Sequence, residues 1–271
     1  MRKQFVVVFI AVVLALAAGS VGAFAGERVR VRLGITDEAS EILWNPVKEE
    51  VAAEGIDIEY VLFGDYTLPN SALANGEIEL NSFQHNAYLN NEIKTFGYKL
   101  TPIGDTLITA LNLYSKKLSS AAEIPEGGKI AIPNDAVNQG RALRVLQAAG
   151  LVKINPNSGA SPTLADIAER TKNIEIIEVD ASQTASLLPD VDAAIVNGGY
   201  AVDAGLNPDT DAIFVDDPSF YKDNSYVNVI VARTEDANNP AYLRIVKAYQ
   251  SERTKELYKT AFKGMYIPAW K

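Results

Sequence analysis

The sequence predicts an α/β protein made of two units, in each of which strands and helices alternate. Apolar and polar residues alternate over 29–35, a helical pattern follows, and a second strand pattern begins at Ile56. The same order of patterns begins again at Lys129. This alternation is typical of a largely parallel sheet flanked by helices. The fold class is therefore α/β, and the cleft between two lobes is the expected binding site.

Each element of the first unit has a local signal. Residues 40–53 place their apolar side chains on one helical face, and residues 56–63 are a short apolar run typical of a buried strand. Pro69 is a helix-starting residue, and the short helix that it begins is expected to end at Asn75, before a glycine. Residues 78–80 are predicted to form a brief third strand.

The second unit begins with a predicted strand over 129–132 and a turn at Pro133. A helix is expected over 137–149, because its apolar residues recur at helical spacing and a glycine follows. Further strands are predicted at 174–179, 193–196 and 226–232, the last of which is expected to be the final strand. A helical region capped by Asn239 follows.

The first 25 residues have the three parts of a secretory signal peptide. Arg2 and Lys3 are basic, residues 5–18 are apolar, and an A-x-A cleavage site ends at Ala25. The alternative, a membrane anchor, is disfavoured because such a stretch rises only about 21 Å, less than the apolar core of a bilayer. The protein is therefore expected to be exported to a periplasm. Because the sequence has no cysteine, no lipid can be attached at a lipobox.

Composition excludes several classes of function. A net charge of −9 argues against nucleic-acid binding, since an acidic surface repels phosphates. With no cysteine and His85 as the single histidine, neither disulfides nor a multi-histidine metal site can form. The chain also lacks GxGxxG, P-loop and GxSxG patterns. No cofactor, metal or catalytic residue is therefore predicted, and the protein is not expected to be an enzyme.

Polar residues follow the predicted strands at positions where α/β proteins bind ligands. Arg141 lies in the first turns of a predicted helix, where it could hold a carboxylate, or it could be an ordinary exposed arginine. Asn138, Asn197 and Asn228 could bind the ammonium and the carboxylate of a zwitterion, or they could be cap and turn residues. Asn228 is the least easily explained as a cap, because an amide within an apolar strand needs a partner.

Aromatic residues follow the strands of the first unit. They are Tyr66, Phe83, His85 and Tyr88. Phe83 and His85 share a face if their segment is extended, whereas His85 and Tyr88 share one if a helix has begun. Such residues could pack in a core or form an apolar slot for a ligand side chain. The residues alone therefore indicate an exported protein with a cleft that could bind an amino acid.

Several segments, in this order, resemble the NlpA (MetQ-type) family of methionine-binding lipoproteins, receptors of methionine ABC importers. They are FGDYTLPNSALANGEIELNSFQHNAYL, GYKLTPIGDT, LYSKK, KIAIPNDAVNQGRALRVLQAAGLVKI and SYVNVIVAR. The resemblance implies a type 2 periplasmic-binding-protein fold, with residues 26–115 and 225–271 in lobe 1 and residues 116–224 in lobe 2. It also implies a side-chain pocket of Tyr66, Phe83, His85 and Tyr88. The implied polar contacts to the ligand backbone are Asn138, Arg141, Asn197 and Asn228.

The family resemblance also implies a ligand and partners. The ligand is L-methionine, the partners are the permease and ATPase subunits of an ABC transporter, and the receptor is a monomer. This sequence departs from the family at the missing lipobox cysteine and at Gly198-Gly199, where hydroxyl residues are usual. Ala87 and Ala110 replace two expected prolines. D-methionine, a methionine-containing dipeptide or another amino acid are therefore alternatives. An enzyme with His85 as a general base and an adhesive protein are the alternatives from other classes.

Overall fold

Two mixed β-sheets, each covered by helices, form the framework of the protein. The computed structural model describes residues 28–217, 223–262 and 265–270. The predicted signal peptide, residues 1–25, lies outside the described residues. Within the ranges described, no helix combines the length and the apolar character that crossing a bilayer requires.

Short strands alternate with helices along the chain. The strands are β1 (Val29–Ile35), β2 (Ile56–Leu62), β3 (Leu80–His85), β4 (Leu100–Asp105), β5 (Leu107–Thr109), β6 (Asn112–Tyr114), β7 (Lys129–Pro133), β8 (Val152–Ile154), β9 (Ile167–Arg170), β10 (Glu175–Val179), β11 (Ala193–Val196), β12 (Ala212–Phe214), β13 (Asn228–Arg233) and β14 (Tyr266–Pro268). The α-helices are α1 (Ala39–Ala52), α2 (Pro69–Ala74), α3 (Asn86–Phe96), α4 (Ala136–Ala148), α5 (Gly198–Asp203), α6 (Pro208–Asp211), α7 (Pro240–Tyr249) and α8 (Glu252–Thr260).

The two five-stranded sheets have the same topology. The first has the order β2-β1-β3-β13-β4 and the second the order β10-β7-β11-β6-β12. In each sheet one strand, β13 or β6, is antiparallel to its neighbours, and the other four strands run in one direction. Both sheets are thus largely parallel, as the alternation of strands and helices predicts.

Each sheet has an apolar core on both faces. In the first sheet, α1, α7 and α8 cover one face, where Trp44 and Ile245 belong to the same apolar cluster as Leu33 of β1, and α2 and α3 cover the other. In the second sheet, α4 packs Leu143 and Leu146 against one face. Because the cores are separate, each sheet and its helices form a lobe, and a cavity lies between the two lobes.

The chain leaves the first sheet after β4, passes through β5, enters the second sheet at β6 and returns between β12 and β13. Strand β6 hydrogen-bonds to β11 and β12 in the second sheet, although the predicted boundary at residue 115 assigns it to lobe 1. The assignment of residues 112–114 to lobe 1 is therefore wrong, since their hydrogen bonds place them in the second sheet. A strand of three residues beside a crossover has no local sequence signal that shows which sheet it joins. The lobe boundaries as a whole stay a prediction.

Several sequence predictions are confirmed and two are wrong. The predicted strands at 29–35, 129–132 and 193–196 match β1, β7 and β11 within one residue, and the predicted helices match α1, α2 and α4. The third strand is not at 78–80 but extends from Leu80 to His85. Its buried residues include amides, which do not give an apolar pattern. The final strand is β14, which pairs with β5, and not the strand that ends near Ala232.

Candidate functional site

All eight residues predicted for the site line one cavity between the two sheets. The cavity is bounded by residues of both lobes, with Phe83 on one side and Asn138 on the other. The parallel strands explain why these eight residues meet in one place. Their carboxyl ends lie at one edge of each sheet, and the two edges face each other. Tyr66, Asn138 and Asn197 follow β2, β7 and β11 respectively.

Three aromatic rings form one wall of the cavity. The ring centroids of Tyr66 and Phe83 are 5.7 Å apart, those of Phe83 and Tyr88 are 5.9 Å apart, and those of Tyr66 and Tyr88 are 6.0 Å apart. The Tyr88 hydroxyl donates a hydrogen bond of 3.0 Å to the Tyr66 carbonyl. From the other lobe, Tyr200 stacks on Tyr66 at 5.1 Å. This wall therefore spans the gap between the lobes.

His85 is the last residue of β3, and α3 begins at the next residue. The segment is therefore extended up to His85 and helical after it, so each of the two conformations considered for it occurs in one part. Its Nδ1 accepts a hydrogen bond of 3.1 Å from the Tyr88 backbone N–H and caps α3. Its Nε2 lies 3.3 Å from Asn138 Oδ1, which can only accept, so Nε2 carries the proton. Burial, with the charge of Arg141 nearby, lowers the pKa of His85 to about 3. Because both nitrogens are engaged, His85 is badly placed to act as a general base.

Two asparagine amides continue this chain of hydrogen bonds across the cavity. Asn138 Oδ1 also accepts a hydrogen bond of 3.1 Å from Asn197 Nδ2, and Asn138 Nδ2 donates one of 3.0 Å to Asp135. Asp135 in turn caps α4 by accepting from the Asn138 backbone N–H at 2.9 Å. The far end of the chain, Asn197 Oδ1, is buried and has no hydrogen-bond partner among the described residues. A buried acceptor of this kind calls for a donor from a ligand.

Arg141 is a buried residue, and the alternative of an exposed helix arginine is wrong. Its side chain is 4% exposed and forms an ion pair of 3.1 Å with Asp216. Its Nη2 also donates a hydrogen bond of 2.8 Å to the Thr109 carbonyl. The guanidinium lies over the Tyr226 ring at 4.6 Å, and that ring contacts His85 at 5.1 Å. No sequence pattern indicated Asp216, which lies in a loop after β12.

Asn228 is the first residue of β13 and lies opposite His85 in the paired strand. The expectation of an amide inside the strand is therefore corrected to an amide at its end. Its carbonyl accepts a hydrogen bond of 2.8 Å from the Thr106 backbone N–H. Its half-buried side-chain amide lines the cavity and has no hydrogen-bond partner in the described part of the chain. This amide is therefore available to a ligand.

The two glycines that follow Asn197 allow close contact between the lobes. A Cβ atom on Gly198 would overlap with Thr109 Oγ1, and one on Gly199 would lie 2.6 Å from Asp37 Oδ2. Asp37 also lines the cavity, together with Trp44, and sequence reasoning missed both residues. Asp37 could have been found from its position directly after β1 and three residues before Ser40, whose backbone N–H donates to its carboxylate.

Comparison with known proteins places this arrangement in a family. The family model described as NlpA lipoprotein matches residues 31–270. The D-methionine-binding lipoprotein MetQ of Yersinia pestis is 39% identical over 245 residues, which cover 90% of this chain and 88% of that protein.

Two solved structures are similar over nearly their whole length. The structure of a nutrient binding protein from Burkholderia cenocepacia bound to methionine has a TM-score of 0.82 and 38% identity, and the match covers 89% of this chain and 100% of that one. The substrate binding protein of a methionine transporter from Streptococcus pneumoniae has a TM-score of 0.83 and 36% identity, with coverage of 90% and 97%. These similarities confirm the predicted two-lobed α/β fold.

Proposed function

The chain belongs to the NlpA lipoprotein family, and on that basis we propose that it captures L-methionine outside the cytoplasm and delivers it to an ABC importer. The observation that carries this proposal is the pairing of an aromatic wall with buried polar groups in one cavity between two lobes. An amino acid has these two chemical halves. The names of the Yersinia pestis and Streptococcus pneumoniae relatives support methionine as the ligand.

The aromatic wall suits a thioether side chain. Sulfur gains about 0.3–1.5 kcal/mol from a contact with an aromatic ring, and the unbranched methionine chain can bend to fit an irregular slot. Tyr66, Phe83 and Tyr88 supply three such rings, and His85 stays neutral beside them because burial lowers its pKa to about 3. A slot without a charge favours an apolar side chain over an acidic or basic one.

The polar groups suit the zwitterionic end of an amino acid. Arg141 brings a buried positive charge to the cavity, which matches a carboxylate. Asn197 Oδ1 and the Asn228 amide provide hydrogen-bonding groups that have no protein partner among the described residues. Asn138 positions Asn197 through their shared hydrogen bond of 3.1 Å. All eight site residues thus have a role in the proposed complex.

The mechanism that follows is domain closure without a covalent step. Because the wall and the polar groups come from both lobes, a ligand completes the site only when the lobes are together, so binding favours the closed form. The closed form then docks on the permease and its ATPase, and opening releases the amino acid. The transporter subunits and a monomeric state are part of this proposal. A signal peptide at residues 1–25 and the absence of cysteine fit a receptor that is exported without a lipid anchor.

A binding measurement after removal of co-purified ligand tests the proposal. The mature protein is unfolded, dialysed and refolded, and is then titrated calorimetrically with L-methionine, D-methionine, a methionine-containing dipeptide, leucine and glutamine. We expect L-methionine to bind most tightly and, at about 1,000 times its Kd, to stabilise the protein by about 4 kcal/mol. Tighter binding of D-methionine or the dipeptide would identify that compound as the ligand, and the proposed receptor role would stand. If none of these compounds binds, the proposed function is wrong.

A further inference from the structure

Asp37 is an acidic residue of the cavity wall for which neither the sequence nor the family comparison gives a role. It follows β1 and lies just before α1. Its Oδ1 accepts hydrogen bonds from the Ser40 backbone N–H at 2.8 Å and from the Ser40 hydroxyl at 2.7 Å, so this oxygen caps α1. Its Oδ2 has no hydrogen-bond partner within residues 28–217, 223–262 and 265–270. A helix cap uses one carboxylate oxygen, so the second, on a half-buried side chain of the cavity wall, can accept from a ligand.

The second oxygen lies beside the polar end of the cavity. A Cβ atom built on Gly199 would be 2.6 Å from Asp37 Oδ2, so the carboxylate lies against the backbone of this glycine. Gly199 is two residues from Asn197, whose buried Oδ1 also has no partner among the described residues. Asp37 and Asn197 both line the cavity, so the cavity wall includes a carboxylate and an amide, each with an acceptor oxygen.

The side chains that line the cavity include one of each charge. Of the described residues that line it, Asp37 and Arg141 are the two whose side chains are charged, since His85 is held neutral. Asp37 comes from the first lobe and Arg141 from the second. An amino acid carries one charge of each sign, and its ammonium group has three N–H donors that must be satisfied when it is buried. Asparagine oxygens can accept these hydrogen bonds but cannot compensate the charge.

We propose that Asp37 is a ligand-binding residue whose Oδ2 accepts a hydrogen bond from the protonated amino group of the bound amino acid. This inference rests on the proposed function, because it takes an amino acid as the ligand. Asp37 and Arg141 then form two opposite charged ends of the site, one for each charge of the zwitterion. The pair favours a free α-amino acid over a compound that lacks the amino group.

The affinity should depend on pH through Asp37. Burial raises the pKa of Asp37 to about 6, the charge of Asp203 on α5 adds to this effect, and the hydrogen bonds from Ser40 oppose it. The other titratable groups that interact with Asp37 are the phenols of Tyr66, Tyr200, Tyr249 and Tyr266, whose pKa values burial raises, so they stay neutral between pH 5 and 8. An ammonium group binds the ionised carboxylate. Affinity should therefore fall about tenfold from pH 7.5 to pH 5.0.

The test compares wild type with Asp37→Asn by calorimetry at both pH values. The ligands are L-methionine and 4-(methylthio)butanoate, which lacks the amino group. The substituted amide is not a charged acceptor, so we expect this variant to bind L-methionine about 10- to 100-fold more weakly at pH 7.5 and to lose the pH dependence. The two proteins should bind the analogue with similar affinity. Asparagine is also a good helix cap, so α1 should be retained, which circular dichroism and thermal unfolding check.

Asp166→Asn is the matched control, because Asp166 is a carboxylate that accepts from the N–H and hydroxyl of Thr163 and does not line the cavity. It should bind L-methionine as wild type does. If Asp37→Asn has wild-type affinity and the same pH profile, the role of Asp37 is wrong while the proposed function stands. If the wild-type protein binds no amino acid, the proposed function fails, and the role of Asp37 fails with it.

Discussion

At the scale of single residues, burial decides between the functional and the ordinary interpretation of Arg141. An exposed arginine on α4 would point to solvent, as Arg144 does one turn later, where it donates to the Gly159 carbonyl. Arg141 is instead enclosed between the lobes and paired with Asp216. A buried guanidinium is costly unless it is paired, and Asp216 supplies that partner.

Replacing Arg141 with alanine should weaken the binding of L-methionine by about 1.5–3 kcal/mol, the scale of a hydrogen bond to a charged group. Titration calorimetry measures the change. Arg144→Ala is the control from the same helix, because its side chain is exposed, does not line the cavity and donates to the Ala160 and Gly159 carbonyls. Equal affinities of the two variants would contradict the role of Arg141.

At the scale of elements, amide side chains join α2 to β3 behind the cavity. Asn70 Oδ1 accepts hydrogen bonds from Gln84 at 2.6 Å and from Asn81 at 3.0 Å, and Asn70 Nδ2 donates one of 2.8 Å to Gln84. All three residues are buried. The motif around Pro69 and Phe83 therefore combines residues that face the ligand with residues that hold the strand in place.

Asn70→Ala should lower the free energy of unfolding by about 2–4 kcal/mol, because it removes the donor to the buried Gln84 Oε1 and leaves Asn81 Nδ2 with only a long contact of 3.5 Å to the Pro69 carbonyl. Chemical denaturation of the ligand-free protein measures this loss. The control is Asn75→Ala at the end of the same helix, where the side chain is exposed and the expected change is within about 0.5 kcal/mol. A loss as small as that of the control would show that the amide cluster is not needed for stability.

At the scale of the whole molecule, hydrogen bonds join the two lobes. Asp203 of α5 accepts hydrogen bonds from the backbone N–H groups of Glu38 at 2.9 Å and Ala39 at 2.8 Å. These groups lie at the start of α1 in the other lobe, where a helix has unpaired N–H groups and favours negative charge. When the lobes separate, these hydrogen bonds must break. In the proposed mechanism, Asp203 stabilises the closed form without lining the cavity.

Asp203→Ala should weaken ligand binding by about 1–2 kcal/mol, the value of a helix cap, and the change should appear as faster dissociation. Stopped-flow fluorescence and small-angle X-ray scattering would record the dissociation rate and the opening of the lobes. Asp209→Ala, which removes an exposed carboxylate of the same lobe, is the control. Unchanged dissociation in Asp203→Ala would rule out this contact as a closing interaction.

The amino-acid sequence was enough to predict the fold class, the positions of α1, α4 and β1, and the residues that surround the cavity. Helices and strands of this kind bury one face, and burial leaves a local pattern of apolar residues that can be read without a structure. The family resemblance then named Tyr66, Asn138 and the other site residues, and the structure brings all eight to one cavity, although their contacts with a ligand stay a proposal.

Which distant groups meet could be seen only in the three-dimensional arrangement of the two lobes. Asp216 pairs with Arg141 across 75 positions of the chain, and Asp203 caps a helix that begins 164 residues earlier. Strand β3 was misplaced because it buries amides, and Asp37 was overlooked because a carboxylate after a strand is usually solvated. Such pairings depend on how two lobes approach each other. Local periodicity reports which face of an element is buried, but not which polar partner it finds there.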